Sequence, residues 1–284
     1  MNNPKIPKRI FHDARKDADF AKLDRETDQT RSPSYKLAFQ DTDFLLREDL
    51  RPVRFQLELL KPELLMDEAK IGSTFVMYGS ARIPEPGQMG NSEDADIATS
   101  LEAKAKYYAE ARKLAQLASM APADADGTRQ FVVCSGGGPS IMEAANRGAQ
   151  DVGKESVGLN IVLPHEQAPN PYVTPSLSFQ FHYFALRKMH FLLRARAVAV
   201  FPGGFGTFDE FFELLTLIQT GKIKPMPVLL FGADFWDRVV NFQALADEGV
   251  INRRDLDIIT RVETADEAWA VVQAWYNGGQ TMKL

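Results

Sequence analysis

A doubly wound α/β fold, a parallel sheet with helices on both faces, is what this sequence predicts, and three observations predict it. Short continuous apolar runs alternate with helical patterns from about residue 73 onward. Runs that lack the in–out alternation of a half-exposed strand suit parallel strands buried on both faces. Three turns of unusual composition, Gly79-Ser80, Ser135 to Ser140 and Pro202 to Thr207, follow such runs. In sheets of this kind ligands bind beyond the carboxyl ends of the strands, where chain order reverses, so these turns mark a crevice.

Each element follows from its residues. Residues 1 to about 40 are polar and charge-mixed and read as extended or loosely ordered. Asp43 is placed to cap a short helix through Phe44, Leu45 and Leu46. After Pro52, Val53, Leu57, Leu60 and Leu64 form a helical stripe that needs a surface to pack on. The first strand is Thr74 to Tyr78, followed by a long helix over about 94 to 119. A second strand, Gln130 to Cys134, enters Gly136-Gly137-Gly138 and a helix at about 140 to 150. Strands follow at Val157 to Leu163 and Ser176 to Phe181, then a helix at 183 to 194. The strand Ala197 to Phe201 leads through the Pro202 turn into a helix from 207 to about 219. Val228 to Phe231, a helix near 234 to 246, Ile258-Ile259 and a helix at 264 to 276 complete the pattern. The expected architecture is therefore a Rossmann-like domain over 71–284 with a partly helical N-terminal extension over 1–70.

Composition narrows the function. With 284 residues, 45% of them hydrophobic and 25% charged, the chain can bury a sizeable core. A net charge of −5 speaks against sequence-independent binding of nucleic acid or anionic membrane, which needs a broad basic face. No apolar run approaches the roughly 18 residues of a membrane span. Cys134 is the only cysteine, so no internal disulfide can form, and it reads as a small core residue at a strand end. The N-terminus lacks an apolar signal core, and a cytoplasmic location is expected. No His, Cys and Asp cluster has metal-ligand spacing, and neither a metal nor a cofactor is expected. His182 and His190 read as packed or surface residues.

The chemistry concentrates at the glycines. Gly203, Gly204 and Gly206 leave backbone N–H groups uncovered just before a helix whose first amides and dipole favour an anion. A phosphate here could also take the Thr207 hydroxyl. A competing reading exists, because Thr207-Phe208-Asp209-Glu210 has the form of a capping box. Ser140 to Glu143 and Thr264 to Glu267 repeat that form, and the last has no glycine loop before it. The glycine cluster, not the Thr-x-x-Glu spacing, is what points to a ligand. Gly137 and Gly138 of the second cluster, and Ser80 of the first turn, join the candidate binding residues. Neither cluster fits a dinucleotide fingerprint: Ile141 stands where the third glycine belongs, and no acidic residue ends the next strand. No Gly-Lys-Ser/Thr follows either one, so a mononucleotide suits the loops better than NAD or ATP. Arg187 and Lys188 lie on an otherwise apolar helix and need a partner, which a crevice carboxylate or a ligand phosphate would supply.

Arg187-Lys188, a gap of 13 residues, then Pro202-Gly203-Gly204-Phe205-Gly206-Thr207-Phe208-Asp209-Glu210 and Thr216 resemble the signature of the LONELY GUY family, long labelled possible lysine decarboxylase. The resemblance covers roughly residues 73 to 235, and Ser135 to Asn146 is similar to its longer-chain subgroup. Family members are cytokinin riboside 5′-monophosphate phosphoribohydrolases and AMP nucleosidases. The resemblance implies that Arg187 and Glu210 are the catalytic pair. It also implies that Met142, Glu166, Lys188, Gly203 to Thr207 (Phe205 included) and Thr216 line a nucleotide site. The implied reaction is hydrolysis of the N-glycosidic bond of a nucleoside 5′-monophosphate. A nucleotide-binding or sensing protein without catalysis is the alternative. The decarboxylase label would need a Schiff-base lysine, for which Lys188 is the only candidate near the site. One departure from the pattern is Phe191, which stands where the family has methionine after Arg-Lys-x-x. The helices at 53 to 64 and 183 to 194 invite a homo-oligomer.

Overall fold

In the computed structural model, which describes residues 13–22, 26–164 and 168–278, seven strands form one sheet. They are β1 (Thr74–Tyr78), β2 (Val132–Ser135), β3 (Val157–Ile161), β4 (Ser178–Phe181), β5 (Ala195–Val200), β6 (Val228–Phe231) and β7 (Ile259–Val262). All neighbours pair in parallel, in the order β4-β3-β2-β1-β5-β6-β7. The chain therefore builds outward from β1 to β4, then returns to the other side of β1 to add β5, β6 and β7. The reversal lies between β1 and β5, and that is where a doubly wound sheet opens a crevice.

Twelve α-helices are described: α1 (Ala14–Phe20), α2 (Asp28–Arg31), α3 (Thr42–Leu45), α4 (Arg51–Glu68), α5 (Ala95–Glu102), α6 (Ala105–Ser119), α7 (Ile141–Asp151), α8 (Phe184–Leu193), α9 (Phe205–Gln219), α10 (Ala233–Val239), α11 (Phe242–Asp247) and α12 (Ala265–Asn277). Alternate strand residues fill two cores. Val76, Tyr78, Leu159, Val198 and Val200 pack with Phe191, Phe211 and Trp236 on one face. Phe75, Met77, Val133, Ala199 and Phe231 pack with Leu114, Ile141 and Val272 on the other. Burial on both faces explains the unbroken apolar runs, because successive side chains point to opposite sides and neither side meets water.

Several predicted boundaries shift for local reasons. The helix expected over 94 to 119 breaks between α5 and α6, where Lys104 Nζ donates to the Ser100 carbonyl. The helix near 234 to 246 divides because Val240 is extended and Asn241 caps α11 by accepting from the Ala244 N–H. The strand placed at Ile258-Ile259 is β7, which continues through Thr260 and Arg261. An edge strand tolerates polar residues that a central strand does not.

The chain divides into two compact units, residues 1–57 and 58–284. In the first, the described part of the segment expected to be loosely ordered, residues 13–22 and 26–40, instead forms short helices, and residues 1–12 and 23–25 lie outside the described residues. Asp13 accepts from the Lys16 N–H, Thr27 and Thr30 cap α2 reciprocally, and Asp41, not Asp43, caps α3. These are local side-chain to backbone bonds that need no apolar periodicity. The predicted stripe Val53, Leu57, Leu60 and Leu64 is exposed, and α4 buries Pro62 and Met66 instead.

Within the second unit, residues 58–68 hold α8. The Glu58 carboxylate accepts from the N–H groups of His182 and Tyr183 just before the helix, and the Glu58 carbonyl lies 3.1 Å from His190 Nε2. Arg194, just past the other end, bonds Glu63, Asp67 and the Ile71 carbonyl. His190 is accordingly a buried structural residue packed on Phe181.

A buried amide network holds the glycine turn after β2. Asn146 Oδ1 accepts from Ser135 Oγ (2.7 Å) and Asn170 Nδ2 (2.9 Å), and its Nδ2 donates to Ser156 Oγ (3.0 Å). Ser135 Oγ accepts from the Gly137 N–H, and Asn170 bonds the carbonyls of Gly137 and Gly138. Asn146→Ala strands several buried polar atoms at once and is expected to cost about 2–4 kcal/mol. Urea unfolding would read this as a lowered midpoint with an unchanged slope.

Candidate active site

Two turns meet at the β1–β5 reversal. The Phe201 N–H donates to the Tyr78 carbonyl (2.8 Å), and the Ser80 N–H donates to the Pro202 carbonyl (3.0 Å). The turn after β1 and the glycine loop after β5 are thereby stitched together. Above them lies a cleft of 310 Å³, within the range of about 300–1,000 Å³ usual for small-molecule sites. Its walls come from both turns, from Gly136 and Met142 on the β2 side, and from Arg187 and Glu210.

The glycine loop resolves the capping question. α9 begins at Phe205, two residues earlier than expected, and its N-cap is Gly204, which has no side chain to cap with. Thr207 therefore sits inside the first turn, and the Thr207–Glu210 capping box is not formed. Ser140 likewise makes no cap, because its hydroxyl donates to the Ile83 carbonyl. Only Thr264 and Glu267 form the reciprocal box that the shared spacing suggested at all three places. The leading amides of α9 have no intrahelical acceptor and no side-chain cap, which leaves the turn able to receive an anion. Gly203 is required by close approach: a Cβ there would stand 2.1 Å from Thr207 Oγ1.

Arg187 is held from four sides. Its Nε donates to the Leu159 carbonyl (2.7 Å), and its Nη1 lies 3.3 Å from Glu210 Oε1. Its guanidinium covers the Phe191 ring at 5.1 Å from the centroid. On the fourth side is Gly136, where a Cβ would lie 2.7 Å from Nη2. Glu210 stands on α9 just beyond Thr207, and both are buried. Burial pushes the Glu210 carboxyl above the ordinary glutamate range, and Arg187 pulls it partly back. Tyr78, in the cleft floor with its ring edge-on to Phe191, is held protonated by its burial and by the charge of Glu210. Burial also pushes the Cys134 thiol up to about 12, which leaves it inert at neutral pH.

Of the residues expected at the site, Ser80, Met142, Arg187, Gly204, Gly206, Thr207 and Glu210 line this cleft. Gly203 lies beneath the turn as a packing residue. The Gly137 N–H and the carbonyls of Gly137 and Gly138 are taken up by the Asn146 network. Lys188 is on α8 beside Arg187 but turns to Asp209 (2.9 Å) and Glu213 (3.0 Å) and does not line the cleft. Thr216 is exposed, and its hydroxyl bonds the Phe212 carbonyl one turn back on α9. Phe205 opens α9 and is 96% exposed. Glu166 lies outside the described residues. Tyr78, Arg82 and Phe191 line the cleft without having been read as binding residues, and Gly136 lines it as part of the Gly136-Gly137-Gly138 turn expected there. Tyr78 and Arg82 flank the Gly79-Ser80 turn, so position alone could have raised them, whereas Phe191 enters only through its stack with Arg187. Among the described residues no group of three or more His, Cys, Asp or Glu is placed to hold a metal, and no helix is long and apolar enough to cross a membrane.

The fold and site define a doubly wound α/β protein with an anion-ready helix start and a buried Arg–Glu pair in its switch-point cleft. Residues 142–272 match the family described as possible lysine decarboxylase. The chain is 27% identical over 148 residues to a cytokinin riboside 5′-monophosphate phosphoribohydrolase of Arabidopsis thaliana, covering 51% of this chain and 68% of that protein. A cytokinin riboside 5′-monophosphate phosphoribohydrolase of Oryza sativa subsp. japonica is 30% identical over 140 residues, covering 48% of this chain and 56% of that one. A pyrimidine/purine nucleotide 5′-monophosphate nucleosidase of Escherichia coli (strain K12) is 30% identical over 116 residues, 37% of this chain and 25% of the enzyme.

The two close approaches separate by experiment. Gly203→Ala drives a methyl into Thr207 in the first turn of α9 and is expected to cost about 1–3 kcal/mol. Gly136→Ala meets the side-chain ends of Arg187 and Met142 rather than a helix turn and is expected to cost less, about 1 kcal/mol, while displacing the guanidinium. Denaturation midpoints of the two variants check that order.

Proposed function

We propose that this protein hydrolyses the N-glycosidic bond of a nucleoside 5′-monophosphate, AMP or a cytokinin riboside 5′-monophosphate, to free base and ribose 5-phosphate. One observation carries the reading: an uncapped, glycine-opened helix start and a buried Arg187–Glu210 pair share one cleft. The names of the relatives in plants and in Escherichia coli support the same reaction class.

In this reading the phosphate takes the leading amides of α9 and the Thr207 hydroxyl. Glu210 lies three residues farther along the helix. A carboxylate directed at the phosphate would repel it, so Glu210 serves the ribose. There it accepts a proton from water as the water oxygen bonds C1′, and its charge stabilises the oxocarbenium-like sugar. The C1′–N bond breaks with its electron pair going to the base nitrogen, which then takes up the proton held by Glu210 and leaves the carboxylate ionised again. Arg187 offsets the negative charge that gathers around the departing base and keeps Glu210 oriented. Lys188, paired outside the cleft, has no part in the step, which also argues against a Schiff-base decarboxylase.

Incubation with AMP, CMP, GMP and isopentenyl-adenosine monophosphate is expected to release free base and ribose 5-phosphate. A protein that binds AMP without releasing base would instead be a nucleotide-binding module. Glu210→Gln is expected to lower kcat by about 10²–10⁴-fold, and full activity of that variant would reject the proton-accepting role. Gly136→Ala is expected to lose about tenfold through the displaced Arg187. The pH dependence follows from Glu210. A base works only when ionised, and burial raises its pKa, so the acid limb of kcat/KM should have its midpoint above the ordinary glutamate value of about 4.3. A limb at or below that value would contradict a buried carboxylate as the base.

A further inference from the structure

The charges lining the cleft do not balance a phosphate unless a second cation takes part. A phosphomonoester carries about −1.5 to −2 near neutral pH, whereas a helix N-terminus offers about +0.5. Arg187 is compensated by Glu210, the single carboxylate in the lining, and Lys188 is spent on Asp209 and Glu213. The remaining cation in the wall is Arg82. Among the described residues, no carboxylate lies within ion-pair distance of its guanidinium.

Arg82 is also held in place by its backbone. Its N–H donates to Ser80 Oγ (3.0 Å), while the Ser80 N–H donates to the Pro202 carbonyl and the Ser80 carbonyl accepts from the Ile141 N–H (3.3 Å). The residue therefore leaves a turn bonded to the glycine loop, at the strand pair β1–β5 whose carboxyl ends carry both. Its side chain is exposed and, among the described residues, unpaired, so holding it extended costs entropy that a ligand would repay.

We propose that Arg82 is the phosphate-discriminating residue of the cleft, contacting the 5′-phosphate across from the α9 amides and setting the preference for nucleotides over nucleosides. The inference rests on placing the phosphate at the α9 turn, and it requires no particular base and no turnover. Arginine suits the role because its planar fork can take two phosphate oxygens, which lysine cannot reproduce.

The test uses the full chain as wild type, Arg82→Ala and Arg82→Lys. Calorimetry measures ribose 5-phosphate binding at two potassium chloride concentrations, and activity is compared on AMP and adenosine. Arg82→Ala is expected to weaken ribose 5-phosphate at least tenfold and to flatten its salt dependence, with Arg82→Lys intermediate. The loss of kcat/KM on AMP should exceed the loss on adenosine at least tenfold, and the melting temperature should hold. Unchanged ribose 5-phosphate affinity in Arg82→Ala, or equal losses on AMP and adenosine, would overturn the inference. Wild type that binds ribose 5-phosphate but leaves AMP intact removes the hydrolase reading and leaves Arg82 to the affinity comparison. Wild type that binds no ribose 5-phosphate overturns the inference together with the phosphate placement.

Discussion

The reversal of strand order between β1 and β5 is the constraint on which the rest depends. A chain that adds strands outward from β1 and then returns to its other side leaves two carboxyl-end loops parting from one another. Nothing in the connectivity covers the gap between them. Into it the glycine loop presents the bare start of α9, and the Gly79-Ser80 turn presents Tyr78 and Arg82. Backbone bonds between Phe201 and Tyr78 and between Ser80 and Pro202 keep the gap narrow. The site is a product of topology first and of side chains second.

On that frame the Arg187–Glu210 pair is costly and well supported. Removing two charges from water is compensated only when both find further partners. Arg187 has the Leu159 carbonyl and the Phe191 face, and it leans on a glycine that leaves room for it. Glu210 has less support, and its carboxyl rises as a result. A carboxylate that water cannot fully solvate is a better proton acceptor than an exposed one, so the same burial that costs folding energy suits it to act as a base. The supports reach outward: residues 58–68 fix α8 at both ends, and the Asn146 network fixes the turn against which Arg187 rests.

Much of this was legible in the residues, and the failures share one cause. Continuous apolar runs located β1 and β6 to the residue, because their burial leaves no ambiguity of face. The helices broke at Lys104 and Val240, where a side chain competes with a backbone bond and no glycine or proline marks the place. The spacing Thr-x-x-Glu could not say whether Thr207 and Ser140 were caps, since a cap depends on where the helix begins. Lys188 and Thr216 share an element with site residues but face away, as helical geometry allows for neighbours one or nine positions from a functional residue.

The sequence by itself determined the α/β class, the two glycine turns, the Arg–Lys pair at its distance from the loop and the isolated core cysteine. Each rests on local composition or on spacing along the chain. Tertiary structure alone decided that the first helical turn of α9 is uncapped, that Arg187 rather than Lys188 meets Glu210, and that Tyr78, Arg82, Gly136 and Phe191 share their cleft. Those outcomes turn on where a helix starts and which way a side chain points after packing, and both are set by residues distant in sequence.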